Sequence, residues 1–186
     1  YWANPGNPSE STFYLGMANS IASIIVAMLA PFLGAIADRG TAKKKFLLIF
    51  AFLGILMTGG LWMVAQGFWQ MAVLLYVLAT VGFSGSNLFY DSLLPGIAPE
   101  EKVDYVSSLG FALGYVGGGI LFLINVVMYL QPEIFGIPNS ATAIRLSFVT
   151  VAVWWAVFSI PVALWVKEPM IYEDVRFRSA VVLGWK

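Results

Sequence analysis

Neither cysteine nor histidine occurs anywhere in the 186 residues, which removes disulfide scaffolds, thiol nucleophiles and Cys/His metal sites together. Charge is scarce as well. Only 11% of residues are Asp, Glu, Lys or Arg, with 10 of each sign and a net charge of zero. Zero net charge and the lack of an extended basic tract argue against nucleic acid as a partner, since its phosphates demand clustered Lys and Arg. Residues 11–37 and 46–90 carry no charge at all. What fills these stretches is apolar: 60% of the chain is hydrophobic and its mean hydropathy is +0.83. A globule of this length cannot enclose that much apolar surface, so the lipid bilayer must act as the solvent. No cofactor and no metal is implied.

The chain opens Tyr1-Trp2-Ala3-Asn4-Pro5, with neither an initiator Met nor a basic segment followed by a short apolar core, so no signal peptide is read here. Its far end turns apolar again at Val181-Val182-Leu183. Both ends read as cut, and the chain as a fragment. Crossing a hydrocarbon layer of roughly 30 Å takes about 20 mostly apolar residues. Five segments qualify, at about 13–33, 46–65, 71–90, 105–130 and 146–166. Residues 91–104 read as a polar connection, with Pro99-Glu100-Glu101 suited to a helix start. Nine of the ten Lys and Arg residues fall on one side of these spans, and Arg145 alone falls on the other. That bias places the amino end outside and Lys43, Lys102 and the carboxyl end in the cytoplasm.

Helical spacing turns residue positions into faces. In the third span Thr80, Ser84, Asn87 and Asp91 form one polar stripe, with Ser86 and Tyr90 beside it. Such a stripe either hydrogen-bonds a neighbouring helix or lines an aqueous cavity, with Asp91 at the cytoplasmic mouth or simply solvated at a helix end. In the fourth span Ser107, Gly114, Gly118 and Asn125 align, flanked by Gly110, Gly117 and Gly119. These glycines allow close helix packing, fixed or sliding. In the first span Gly16, Ser20, Ser23, Ala27, Ala30 and Gly34 make a small-residue face. The second and fifth spans have no polar stripe and read as lipid-facing staves. Gly114 to Gly119 is no phosphate loop, for it lacks a following Lys-Ser/Thr and a flanking strand.

Between the first two spans lies a charged cluster, in which Gly34, Asp38, Arg39 and Lys43 resemble the major facilitator superfamily's loop signature, Gly-x-x-x-Asp-Arg-x-Gly-Arg-Lys. Thr41 and Ala42 depart from it. Gly110, Gly114, Gly118 and Gly119 follow the spacing of the family's antiporter motif, with Tyr115 in place of its Pro. The segments Asn87-Leu88-Phe89-Tyr90-Asp91-Ser92-Leu93-Leu94-Pro95 and Ile97-Ala98-Pro99-Glu100-Glu101 look like the branch that includes vacuolar amino-acid effluxers and many bacterial members of unassigned substrate. The resemblance implies an all-α polytopic membrane bundle, with the five spans as helices two to six of a major facilitator fold.

On that scheme residues 1–166 are part of an amino-terminal transporter half, and 167–186 are a cytoplasmic linker toward a missing second half. Gly34, Asp38, Arg39 and Lys43 become a conformational signature loop. Thr80, Ser84, Asn87, Tyr90 and Asp91 become candidate cavity-lining residues on helix four. Gly110, Gly114, Gly118 and Gly119 become helix-packing glycines on helix five. The implied activity is secondary transport of a small polar solute, amino acids or peptides, by alternating access. The membrane would be a plasma (inner) membrane, or a vacuolar one in a eukaryote. A membrane-embedded enzyme would need convergent acids, bases or a metal, and the spans offer no such set. A non-transporting scaffold that recruits partners through 167–186 is the other alternative.

Overall fold

The computed structural model describes residues 6–39 and 42–168. The expected linker therefore lies outside the described residues from position 169 onward. Five long helices follow one another: α1 (Pro8–Arg39), α2 (Lys43–Gly60), α3 (Trp69–Ile97), α4 (Val103–Leu130) and α5 (Ser140–Trp165). All five are long and apolar enough to cross a membrane. The described residues contain no strand, as a bilayer requires of segments that must satisfy their own backbone.

Local chemistry sets the ends. The Asn7 side chain accepts hydrogen bonds from Ser9 N (3.1 Å) and Glu10 N (3.2 Å), so α1 starts well before the first wholly apolar residue. Asn139 does the same for α5 through Thr142 N at 2.9 Å, so α5 starts at Ser140, six residues upstream of the apolar span's expected start. α3 also outruns its expected end, continuing through Pro95 to Ile97. Pro95 only deletes the bond its missing N–H would have given Asp91. Leu93, buried with Ala37, Leu47 and Phe89, holds this last turn against α1 and α2.

α3 is the hub. On one side Val77 packs with Ala18 and Ala22 of α1. On another, Gly82 abuts the backbone of Gly54 in α2, and Gly85 lies under the Phe50 ring. At the α2 start the Phe89 ring stacks with Phe46 (5.2 Å) and Phe50 (6.0 Å). α5 closes on the opposite flank of α2, with the Trp155 indole lying on Gly54 and edge-on to Phe83 at 6.0 Å. α4 packs mainly on α5: Met128 joins Ala143 and Leu146, and Thr150 Oγ1 donates to Asn125 Oδ1 at 2.9 Å.

This order corrects the expectation that the second span is a lipid-facing stave. α2 sits between α3 and α5 and buries Leu47, Ala51 and Gly54. Lipid and a packed helix are equally apolar, so hydrophobicity cannot separate an inner face from an outer one; the small residues Ala51 and Gly54 carry that information. The small-residue face of α1 likewise points away from its neighbour. Ala18 and Ala22 do the packing, whereas Gly16, Ser20, Ser23 and Ala27 are exposed. Ser20 and Ser23 hydroxyls donate to the carbonyls of Gly16 (3.0 Å) and Asn19 (2.8 Å), which satisfies them within their own helix.

Candidate functional site

At the α1–α2 end the charges make a clamp. α2 begins Lys43-Lys44-Lys45, three cations at the positive end of a helix dipole, and Ala42 supplies no side-chain cap. Both features oppose helix initiation. The answer comes from the far end of α5: Glu168 accepts from Lys43 N at 2.5 Å and from Lys44 N at 3.4 Å. Lys44 Nζ returns the contact to the Val166 carbonyl at 2.7 Å. Lys43 Nζ reaches the Ser92 carbonyl of α3 at 3.2 Å. The starts and ends of α2, α3 and α5 are thus tied at one point. Of the loop signature, Lys43 belongs to this clamp, Asp38 is exposed and Gly34 has open space around it. The Arg39 side chain, Gly40 and Thr41 lie outside the described residues.

The polar stripe of α3 lies on the flank away from the buried residues Val81, Gly85 and Phe89. Thr80 and Ser84 are half-buried, and Asn87, Tyr90 and Asp91 are exposed. Thr80 Oγ1 donates to Tyr76 O at 2.9 Å. Ser86, beside the stripe, is buried and donates to Phe83 O at 2.8 Å. Tyr90 leans toward α4, its hydroxyl 3.0 Å from where a Gly110 Cβ would stand. A Cβ on Gly114, Gly118 or Gly119 would meet nothing within 4 Å among the described residues.

A cavity of about 480 Å³ opens at the other end of the bundle, lined by Tyr14 of α1, Trp69 and Tyr76 of α3, and Arg145 and Phe148 of α5. None of the five stripe candidates lines it. Tyr14 and Trp69 form one aromatic wall, their rings stacked 4.0 Å apart and nearly parallel at 3°. Arg145 is held in place: Nη2 donates to the Trp62 carbonyl at 2.5 Å, and the guanidinium lies 4.7 Å above the Trp62 ring. Tyr76 hydrogen-bonds Asn19 Oδ1 at 3.3 Å.

Tyr76 joins the cavity to the stripe. It precedes Thr80 by one helical step of four, so Tyr76, Thr80, Ser84, Asn87 and Asp91 share a face over roughly 22 Å of helix. The stripe alone was visible in the residue spacing. Tyr76 was not counted with the stripe, although its four-residue step to Thr80 was there to be seen. Arg145 had a signal too, as the lone cation on its side. Glu168 had none, for its partner Lys43 is 125 positions away. Among the described residues no group of three Asp, Glu, His or Cys could hold a metal.

Five apolar spans carrying a polar face and charged turns define a multi-pass integral membrane protein. Residues 6–186 match the sequence profile of the family described as "Vacuole effluxer Atg22 like", and the chain belongs to that family, a transporter branch of the major facilitator superfamily. It is 41% identical over 154 residues to the "Uncharacterized MFS-type transporter YxiO" of Bacillus subtilis (strain 168), a match covering 82% of this chain and 36% of that protein. It is 24% identical over 200 residues to "Autophagy-related protein 22" of Coccidioides immitis (strain RS), covering 80% and 32% respectively. The chain thus spans about a third of the length of these curated relatives. No solved structure matches it. The family is one of transporters, not of enzymes.

Proposed function

We propose that this chain forms part of a secondary carrier that moves a small polar solute, an amino acid or short peptide, across a membrane by alternating access. The observation that carries the reading is the polar face of α3, which continues from the Tyr76 wall of the cavity to Asp91 at the clamp end. Side chains on that face offer hydroxyl, amide and carboxylate groups, suited to hydrogen-bonding a solute stripped of water. The rest of the carrier covers the face and completes the path. Asp38, Arg39 and Lys43 then act in the conformational cycle, with Asp38 meeting a helix end of the second half. Gly110, Gly114, Gly118 and Gly119 give helix backbones room to approach. Lys43 and Lys102 lie in the cytoplasm and Arg145 outside, in a bacterial inner membrane or a eukaryotic vacuolar one.

Uptake of labelled amino acids and dipeptides by vesicles containing the full-length protein tests this. A single cysteine at position 87 should react with a small polar thiol reagent and be shielded by the transported solute, while one at the buried position 86 should not react. Absence of uptake for every amino acid and dipeptide tried would favour a scaffold. Reaction at 86 but not at 87 would turn the stripe toward a neighbouring helix.

A further inference from the structure

On the outer flank of α2, Lys45, Ile49, Phe52 and Leu56 are all exposed, and their spacing of four, three and four puts them on one stripe. That stripe lies away from Leu47, Ala51 and Gly54, which pack against α3 and α5. A groove of about 490 Å³ runs along it, lined by Lys44, Lys45, Leu48, Ile49, Phe52 and Glu168. Its two ends differ in chemistry. At the helix start are two ammonium groups and the positive end of a helix dipole. Farther along are only aliphatic and aromatic carbons.

We propose that this groove is a binding site for an anionic phospholipid, the phosphate lying between Lys44 and Lys45 and one acyl chain running over Leu48, Ile49 and Phe52. From Lys45 to Phe52 the helix rises roughly 10 Å, within the roughly 15 Å depth of one leaflet's hydrocarbon. Headgroup and chain are therefore matched to the right levels of the bilayer. The groove's one carboxylate does not cancel the attraction. Glu168 is turned onto the backbone N–H groups of Lys43 and Lys44, where the helix end already balances its charge. Lys44 spends one ammonium hydrogen on the Val166 carbonyl and keeps two for a phosphate. Lys45 extends into the headgroup layer while its methylene stem lies along the groove. A zwitterionic lipid would fill the apolar part equally well, so charge at the head is what selects the occupant. The site goes beyond the solute path, being on the opposite side of α2 from α3, and it does not require transport to be detected.

The test is native mass spectrometry of the purified full-length protein with added phosphatidylglycerol or with phosphatidylcholine of the same acyl chains. The expected result is retention of phosphatidylglycerol in preference to phosphatidylcholine, with the preference cut about fivefold by Lys45→Gln and kept by Lys45→Arg. Ile49→Trp, which fills the groove and leaves the lysines, should weaken phosphatidylglycerol as well. Equal retention of the two lipids overturns the proposal. So does displacement of phosphatidylglycerol by millimolar inorganic phosphate, or an unchanged affinity in Ile49→Trp, since either makes it a phosphate site without a chain groove. Absence of bound lipid, or a dimer that added lipid leaves intact, assigns the groove to protein instead.

Discussion

A Cβ placed on Gly82 of α3 would stand 2.5 Å from the backbone nitrogen of Gly54 in α2, so the two helices touch backbone to backbone at this crossing. The other side of Gly54 carries the Trp155 indole of α5. One residue thus sets the separation of three helices. Gly82→Ala should lower stability by about 1–3 kcal/mol, the usual cost of adding volume to a packed site, and Gly54→Ala by at least as much. Thermal unfolding of the purified protein followed by tryptophan fluorescence reads this directly. An unchanged midpoint in both variants would mean the helices do not meet there.

Glu168 replaces a cap that α2 cannot make for itself. Its removal leaves orphan N–H groups beside three lysines, so Glu168→Gln should weaken the helix start by roughly 1 kcal/mol, and Glu168→Ala somewhat more. Hydrogen exchange at residues 43–46 should speed up in the variants while the middle of α2 stays protected. Equal protection in wild type and variants would show that the first turn of α2 is held by something other than this carboxylate.

The existence and number of the helices were legible because a bilayer imposes long uncharged runs, and the runs at 11–37 and 46–90 admit no other reading. Helix ends were less legible, since Asn7, Asn139 and the burial of Leu93 extend helices beyond their apolar cores. Inner and outer faces were misjudged at α2 because its residues are apolar all round. At the site, the stripe from Thr80 to Asp91 followed from periodicity, whereas the Glu168 clamp and the Tyr14–Trp69 wall join residues distant in sequence. Spacing within a helix carries no information about such pairs.

The proposed orientation rests on the sequence's bias in basic residues, nine of the ten being expected on one side of the spans. Single cysteines at 43, 102 and 145 in a full-length protein should divide accordingly. Only position 145 should react with an impermeant thiol reagent added to intact cells, and 43 and 102 should react after permeabilisation. Reaction at 43 without reaction at 145 would invert the topology.

Gly114 and Gly118 of α4 differ in kind from Gly54 and Gly82, although all four lie in apolar helices. A side chain at either α4 position would enter space that the described residues leave open, so Gly114→Leu and Gly118→Leu have no clash to make within the five-helix unit. If the glycine face exists to let another helix of the carrier approach and move, the same side chains obstruct that approach. A leucine there should cost about 1–3 kcal/mol in the state that needs close contact, which is a loss of tenfold or more in transport rate if that state lies on the cycle. The expected pattern is therefore a melting midpoint near wild type for the five-helix unit, combined with strongly reduced uptake by the full-length protein. Gly82→Ala provides the contrast, since its melting midpoint is expected to fall. Unimpaired uptake in both leucine variants would show that the face meets lipid alone and that its glycines have no part in the transport cycle.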